Sequence, residues 1–148
     1  MGTRIPRWPA VIPKGYENKT VSGFVDIVPT LADIAGIMMP KLSGQSILAT
    51  LKTGESTPRE APLYWEFSHR HGAQAVVMGR WKLIRRDIKA EGGPVIELFD
   101  LEADEGEATN LAVQYPDLVR EGLEVMAGRT PTNVEKWEFP APKPETIE

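Results

Sequence analysis

The chain of 148 residues contains no cysteine. That excludes disulfides, thiolate metal sites and a cysteine nucleophile, and leaves the redox compartment open. It has only two histidines, His69 and His71, so a metal centre built on histidine would need its other ligands from carboxylates. No run approaches the ~20 apolar residues that a membrane helix needs. The opening "MGTRIPRWPAVIPKG" has no apolar core of signal-peptide length and is interrupted by prolines. Nor is there an excess of positive charge: the net charge is −4, which argues against a polyanion over the whole surface and against nucleic acid as a partner. The sequence holds no P-loop, G-x-G-x-x-G, G-x-S-x-G or H-E-x-x-H motif. From these absences a soluble chain is expected, with no export signal, membrane span or self-contained catalytic motif in the sequence as it stands.

What is present reads as globular, with 41% hydrophobic and 26% charged residues. At this length a chain buries roughly 68–70% of the surface its unfolded form exposes, enough for a core of its own. The prolines at 6, 9 and 13 predict extended backbone, ending in a turn at Lys14-Gly15. "VDIVPTLADIAG" predicts a helix capped by Asp26, with Ile27, Leu31, Ile34 and Ala35 on one face and Gly36 as its left-handed exit. "SGQSILATLKTG" predicts a short helix capped by Ser43 or Ser46 and ended by Gly54, and the polar "ESTPREAP" marks a boundary.

Four short segments follow, "APLYWEF", "AQAVVMG", "RWKLIRR" and "VIELFDL", rich in aromatic and β-branched residues and separated by turn signals. In the third, Trp81, Leu83 and Arg85 share one face, and Lys82, Ile84 and Arg86 the other. A final helix is expected over "YPDLVREGLEVMAGR", with an apolar stripe of Leu118, Leu123 and Met126 and Val119 beside it. The tail, with prolines at 140, 142 and 144, reads as extended or frayed. Sequential strands followed by a helix predict an α+β fold with a small antiparallel sheet of about four strands.

The candidate chemistry is concentrated in "YWEFSHRHG". If the strand continued through it, Leu63, Trp65, Phe67, His69 and His71 would point to one face. Two histidines alone do not make a zinc site. The readings left are a cleft-lining group that contacts an anion through His69, Arg70 and His71, or an exposed solvated loop. Ser56-Thr57-Pro58-Arg59 resembles a Ser/Cys-x-Pro-x-Arg nucleophile motif, but the arginine arrives one residue early and Glu60 stands in its place. The basic residues Arg80, Lys82, Arg85 and Arg86 could form an anion-facing patch; the expectation favoured is a solvated strand face, pairing with the acidic loop 102–107. "DLEADEGE" lacks the spacing of a calcium-binding EF-hand loop.

Several stretches in one order, "GTRIP", "RWPAVIPKG", "VSGFVDIVPTLADIAGI", "SGQSILATLKTG", "YWEF", "AVVMGRWKLI" and "ELFDLEADEGEATNLA", resemble the C-terminal part of the arylsulfatase family of sulfuric ester hydrolases, in the alkaline phosphatase superfamily. The resemblance runs from about Gly2 to Pro131. It implies that residues 1–60 are the tail end of the large α/β sulfatase domain, that 61–131 form the C-terminal subdomain, and that 132–148 are an extended Pro-rich tail. It also implies a parent enzyme that hydrolyses sulfate esters of small molecules or sugars, using a formylglycine and calcium or another divalent cation. The formylglycine motif and the metal ligands of the family have no counterpart here, so no catalytic residue and no metal ligand is assigned. The chain is expected to complete the sulfatase fold, to meet the missing N-terminal domain, and to shape the substrate cleft with His69, Arg70 and His71. An alternative is a stand-alone binding module descended from a truncated sulfatase gene. A phosphonate or phosphodiester hydrolase of the same superfamily is a more distant reading.

Two departures from the family pattern stand near the start. Ile5-Pro6 runs directly into Arg7-Trp8 without the usual apolar strand, and Ala10 replaces a customary glycine. The first residues are therefore expected to differ from the parent's order.

Overall fold

The computed structural model describes residues 5–142. The "GTR" of the first family-like stretch and the tail from 143 onward, including Pro144, lie outside the described residues. The chain divides into two compact units between Glu60 and Ala61.

The first unit turns at Trp8, whose carbonyl accepts from the amides of Val11 and Ile12, and again at Gly15, in the left-handed region at φ 69°. A 3-10 turn, Phe24–Asp26, leads into α1, Ile27–Ala35. Gly36 ends α1 at φ 67°, as its sequence position predicts. α2, Leu48–Thr53, begins where the Ser46 hydroxyl accepts from the Leu48 amide at 3.3 Å, and ends at Gly54.

Asp26 does more than the expected helix cap, and at a different place. Its side chain does not cap α1. The fully buried carboxylate instead accepts from the Gly23 amide at 2.6 Å, the Gln45 amide at 2.8 Å and the Arg59 guanidinium. Gly44 makes this possible: a Cβ there would stand 1.8 Å from the Val25 carbonyl oxygen, so only glycine lets the two backbones pass. Thr30 adds a second tie, donating to the Asp26 carbonyl at 2.6 Å and accepting from the Ile47 amide at 3.1 Å.

The predicted apolar face of α1 is exposed rather than packed. Ile27, Val28, Leu31 and Ile34 all lie open, and Phe24 and Met38 are 81% and 98% exposed. Val28, Leu31, Ala32, Ala35, Ile37 and Met39 line a shallow apolar depression.

The second unit is an antiparallel meander, β1 (Leu63–Phe67), β2 (Ala73–Met78), β3 (Trp81–Arg86) and β4 (Val95–Asp100), in that spatial order. Gly79, at φ 58°, opens the two-residue connection that pairs Met78 with Trp81. Helix α3, Pro116–Ala127, covers one face of the sheet. The core is Val76, Leu83, Leu98, Ala112, Val119, Leu123 and Met126. The helix therefore presents Val119, Gly122, Leu123 and Met126 at helical spacing, while Leu118, placed in the stripe by the sequence, is only half-buried. Gly122 is the point of closest approach, since a Cβ there would meet Leu83 Cδ2 at 2.5 Å.

Beyond β4 the chain folds back along that strand. Asn110 Oδ1 accepts from the Leu98 amide at 3.0 Å, Asn110 Nδ2 donates to the Ile96 carbonyl, and the Leu111 amide donates to the Leu98 carbonyl at 2.8 Å. The described part of the tail is not frayed. It carries a 3-10 turn, Glu135–Trp137, and buries Phe139.

Candidate functional site

β1 does not continue through the histidines. It stops at Phe67, and residues 68–72 form the connection to β2. Arg70 takes a left-handed backbone at φ 55° and Gly72 follows at φ 77°, so the chain reverses instead of alternating. The Gly72 amide closes the turn on the His69 carbonyl at 3.1 Å. His69 and His71 thus do not share a strand face. All three side chains of His69, Arg70 and His71 are exposed. Among the described residues none of them makes a side-chain hydrogen bond or ion pair; the His69 ring meets the Phe67 ring at an edge, 5.9 Å between centroids.

The turn is held from behind. The His71 carbonyl accepts from the Lys89 amide at 2.8 Å, and the Gly72 carbonyl from the Ile88 amide at 3.3 Å. The Phe139 ring lies over Gly72, where a Cβ would stand 2.2 Å from Cε1. Lys89 Nζ sits 5.1 Å from the centre of the same ring and donates to the Lys136 carbonyl at 2.7 Å. A glycine at 72 is thus required twice, by backbone conformation and by the ring above it.

Behind the turn a polar chain crosses the helix-side face of the sheet. Arg85, on β3, donates from Nη1 to Gln74 Oε1 at 2.9 Å and to the Pro140 carbonyl at 3.0 Å. Gln74 Nε2 donates to the Tyr64 hydroxyl at 2.8 Å, and that hydroxyl donates to Glu66 Oε2 at 2.6 Å. Glu66 lies 3.5 Å from Arg129 Nε, and Arg129 also pairs with Glu138 of the tail. Burial, reinforced by the bond to Glu66, pushes the Tyr64 phenol well above its usual range, which keeps the proton in place. The sequence sets Arg85 on the Leu83 face but also leads us to expect it on a solvated one with Arg80, Lys82 and Arg86; its burial overturns that expectation, because Gln74 and the Pro140 carbonyl take the place of water.

The other three members of the basic string, Arg80, Lys82 and Arg86, are committed. Arg80 pairs with Asp100 and, at 3.3 Å, with Glu102; Lys82 reaches Glu107 at 2.6 Å; Arg86 reaches Glu97 at 2.8 Å. Arg59, from the stretch that mimics a nucleophile motif, is engaged on Asp26, and its buried Nε has no acceptor among the described residues. Among the described residues no group of three or more His, Asp or Glu side chains is placed to hold a metal ion. The described residues therefore offer no set that fits the cation site the resemblance implies.

The family model described as N-sulphoglucosamine sulphohydrolase, C-terminal, matches residues 3–124. Arylsulfatase K of Mus musculus is 36% identical over 109 residues, covering 67% of this chain and 19% of that protein. N-acetylgalactosamine-6-O-sulfatase of Bacteroides thetaiotaomicron is 32% identical over 145 residues, covering 84% and 27%. A protein solved in complex with its substrate D-glucosamine-2-N,6-O-disulfate superposes with a TM-score of 0.63 at 23% identity, covering 81% of this chain and 26% of its own, which shows a shared fold. The chain thus spans about a fifth to a quarter of the length of these curated relatives. The matched stretch takes in the first unit from residue 3, all four strands of the meander and α3 as far as Glu124, and the chain belongs to the sulfatase family represented by the N-sulphoglucosamine sulphohydrolase C-terminal region.

Proposed function

We propose that this chain serves a sulfate-ester hydrolase as its C-terminal segment, completing the fold and shaping the substrate cleft without performing the chemistry itself. Residues 1–60 act as the tail end of the catalytic α/β domain, 61–131 as the C-terminal subdomain and 132–148 as its tail. The observation that carries the reading is the turn His69–His71: three anion-seeking side chains exposed together and uncommitted, on a backbone fixed by Gly72, Lys89 and Phe139. A rigid turn presents such groups with little ordering cost when a ligand arrives. The ligand class is a sulfated small molecule or sugar.

The exposed face of α1 supports the same reading. So many apolar side chains in the open mark a contact surface, and the occupant proposed is the N-terminal sulfatase domain. That domain would supply the formylglycine nucleophile and a divalent cation such as calcium, whose chemistry would be that of a Lewis acid. In this chain His69, Arg70 and His71 bind and orient the anionic ligand, and no proton transfer is assigned to them.

The test joins this chain to the catalytic portion of a family sulfatase and follows hydrolysis of a sulfated sugar. Replacing His69, Arg70 and His71 together by alanine is expected to raise KM about tenfold or more, which corresponds to about 1.4 kcal/mol, with kcat little changed. An unchanged KM rejects the substrate-rim role. Turnover of a chromogenic aryl sulfate by the isolated chain, abolished by one substitution within it, rejects the non-catalytic role.

A further inference from the structure

Arg85 is 4% exposed and, among the described residues, has no carboxylate within ion-pair distance. Arg80, Arg86, Arg120 and Arg129 of the same unit each pair with an acid. The two acids on the polar chain are already engaged, Glu66 by Tyr64 and Arg129, Glu138 by Arg129 and the Thr132 amide. Arg85 has only neutral partners, Gln74 and the Pro140 carbonyl, and burial pushes its pKa down. Removing a cation from water without an anion is expensive, and a guanidinium is never relieved by losing its proton in a protein. The charge calls for a counter-ion.

One edge of the guanidinium is not used by the described residues. Its hydrogen bonds to the described residues leave from Nη1 alone. Among the described residues the one sealed side-chain donor without a partner is Arg59 Nε; the Nε and Nη2 donors of Arg85 are not sealed in that way. Those two nitrogens form the planar fork that suits two oxygens of a carboxylate or sulfate. Gln74 follows Gly72 by two residues, and Pro140 follows the Phe139 ring that covers Gly72. Arg85 is therefore tied to the same two segments that frame the His69–His71 turn.

We propose that Arg85 is a second oxyanion contact beside that turn, taking a sulfate or carboxylate group through Nε and Nη2. Resting on the substrate-rim reading above, it specifies the ligand as a sugar with at least two anionic groups, one at the exposed turn and one at the recessed fork. Arg85 is a specificity residue and takes no part in bond cleavage.

The experiment is a titration of the full chain with sodium sulfate, and separately with sodium acetate, at constant ionic strength set by chloride. The readout is the Arg85 Nε–H resonance, assigned by its loss in Arg85→Lys, together with the amides of 69–71. A saturating shift of Nε–H with sulfate alone identifies a sulfate subsite, and one with both anions a general oxyanion fork. The rise in Tm with sulfate over chloride is expected to be smaller in Arg85→Lys than in the unaltered chain, as linkage requires of a lost site. A silent Nε–H overturns the inference, as does an equal rise in Tm for both proteins. Shifts confined to the amides of 69–71 also overturn it, while leaving the substrate-rim reading intact. That reading falls separately, by the KM measurement.

Discussion

The Arg59 guanidinium grips the buried Asp26 carboxylate with both terminal nitrogens, Nη1 at 2.9 and 3.0 Å and Nη2 at 3.0 Å, across 33 residues of chain. With the amides of Gly23 and Gln45 on the same carboxylate, the pair joins the 3-10 turn, the loop before α2 and the end of the first unit. Removing one partner of such a pair leaves the other buried and uncompensated, at about 3–5 kcal/mol. Arg59→Met is expected to loosen residues 20–60 by that order. Amide hydrogen exchange checks it; protection of these residues equal to that of the unaltered chain would reject the account.

Gly122→Ala tests the contact of α3 with β3. Alanine gains about 1 kcal/mol of helix propensity, but its Cβ would stand 2.5 Å from Leu83 Cδ2 and 3.2 Å from Leu83 Cβ. Overpacking of this kind costs typically ~1–3 kcal/mol, so net destabilisation is expected. Urea unfolding reads it, and a midpoint shifted upward would contradict the close approach. Adding Leu83→Ala to make room is expected to show non-additive coupling, because the two positions touch.

Gly72→Ala places a side chain where φ is 77° and where the Phe139 ring already stands. A positive φ on a non-glycine residue together with a clash is expected to cost about 1–3 kcal/mol. Phe139→Ala removes the clash and leaves the backbone strain. In the double variant the loss should therefore be smaller than the sum of the two single losses, as thermal unfolding would show. Strict additivity would mean that ring and turn do not meet.

The hydrogen bond from Arg80, aided by the amides of Glu102 and Ala103, holds the Asp100 carboxyl below the usual carboxylate range. A depressed folded-state pKa gives stability that is present above the unfolded value, about 3.9, and is lost as pH falls through the folded one. The second unit is expected to keep this contribution through neutral pH and to lose it on acidification below about pH 4. Asp100→Asn should flatten the acid limb of a stability-against-pH curve and leave its slope near neutrality alone. An acid limb as steep as before would assign the acid sensitivity to other groups.

The strands and helices were legible because each follows local chemistry. Gly79 separates two β-branched runs, Gly36 and Gly54 stop helices in the left-handed region, and alternation in "RWKLIRR" sets Leu83 and Arg85 on the helix side. The departures arise from distant partners. Nothing local marks Phe139 as the cover of Gly72, so the tail read as frayed. Asp26 read as a helix cap because the residues that claim its carboxylate, Gln45 and Arg59, lie 19 and 33 positions away. The strand reading of His69 and His71 failed at Arg70, a residue whose type gives no warning of a left-handed backbone.

β4 is the last strand of the meander, a position where unpaired amides and carbonyls invite another chain to add a strand. Here Asn110 and Leu111 occupy the Ile96 carbonyl and both the amide and the carbonyl of Leu98. A single asparagine side chain, reading like one more rung of backbone, closes that border. Fibre-like growth through the middle of β4 is thereby denied to copies of this chain, and Asn110→Leu would reopen it.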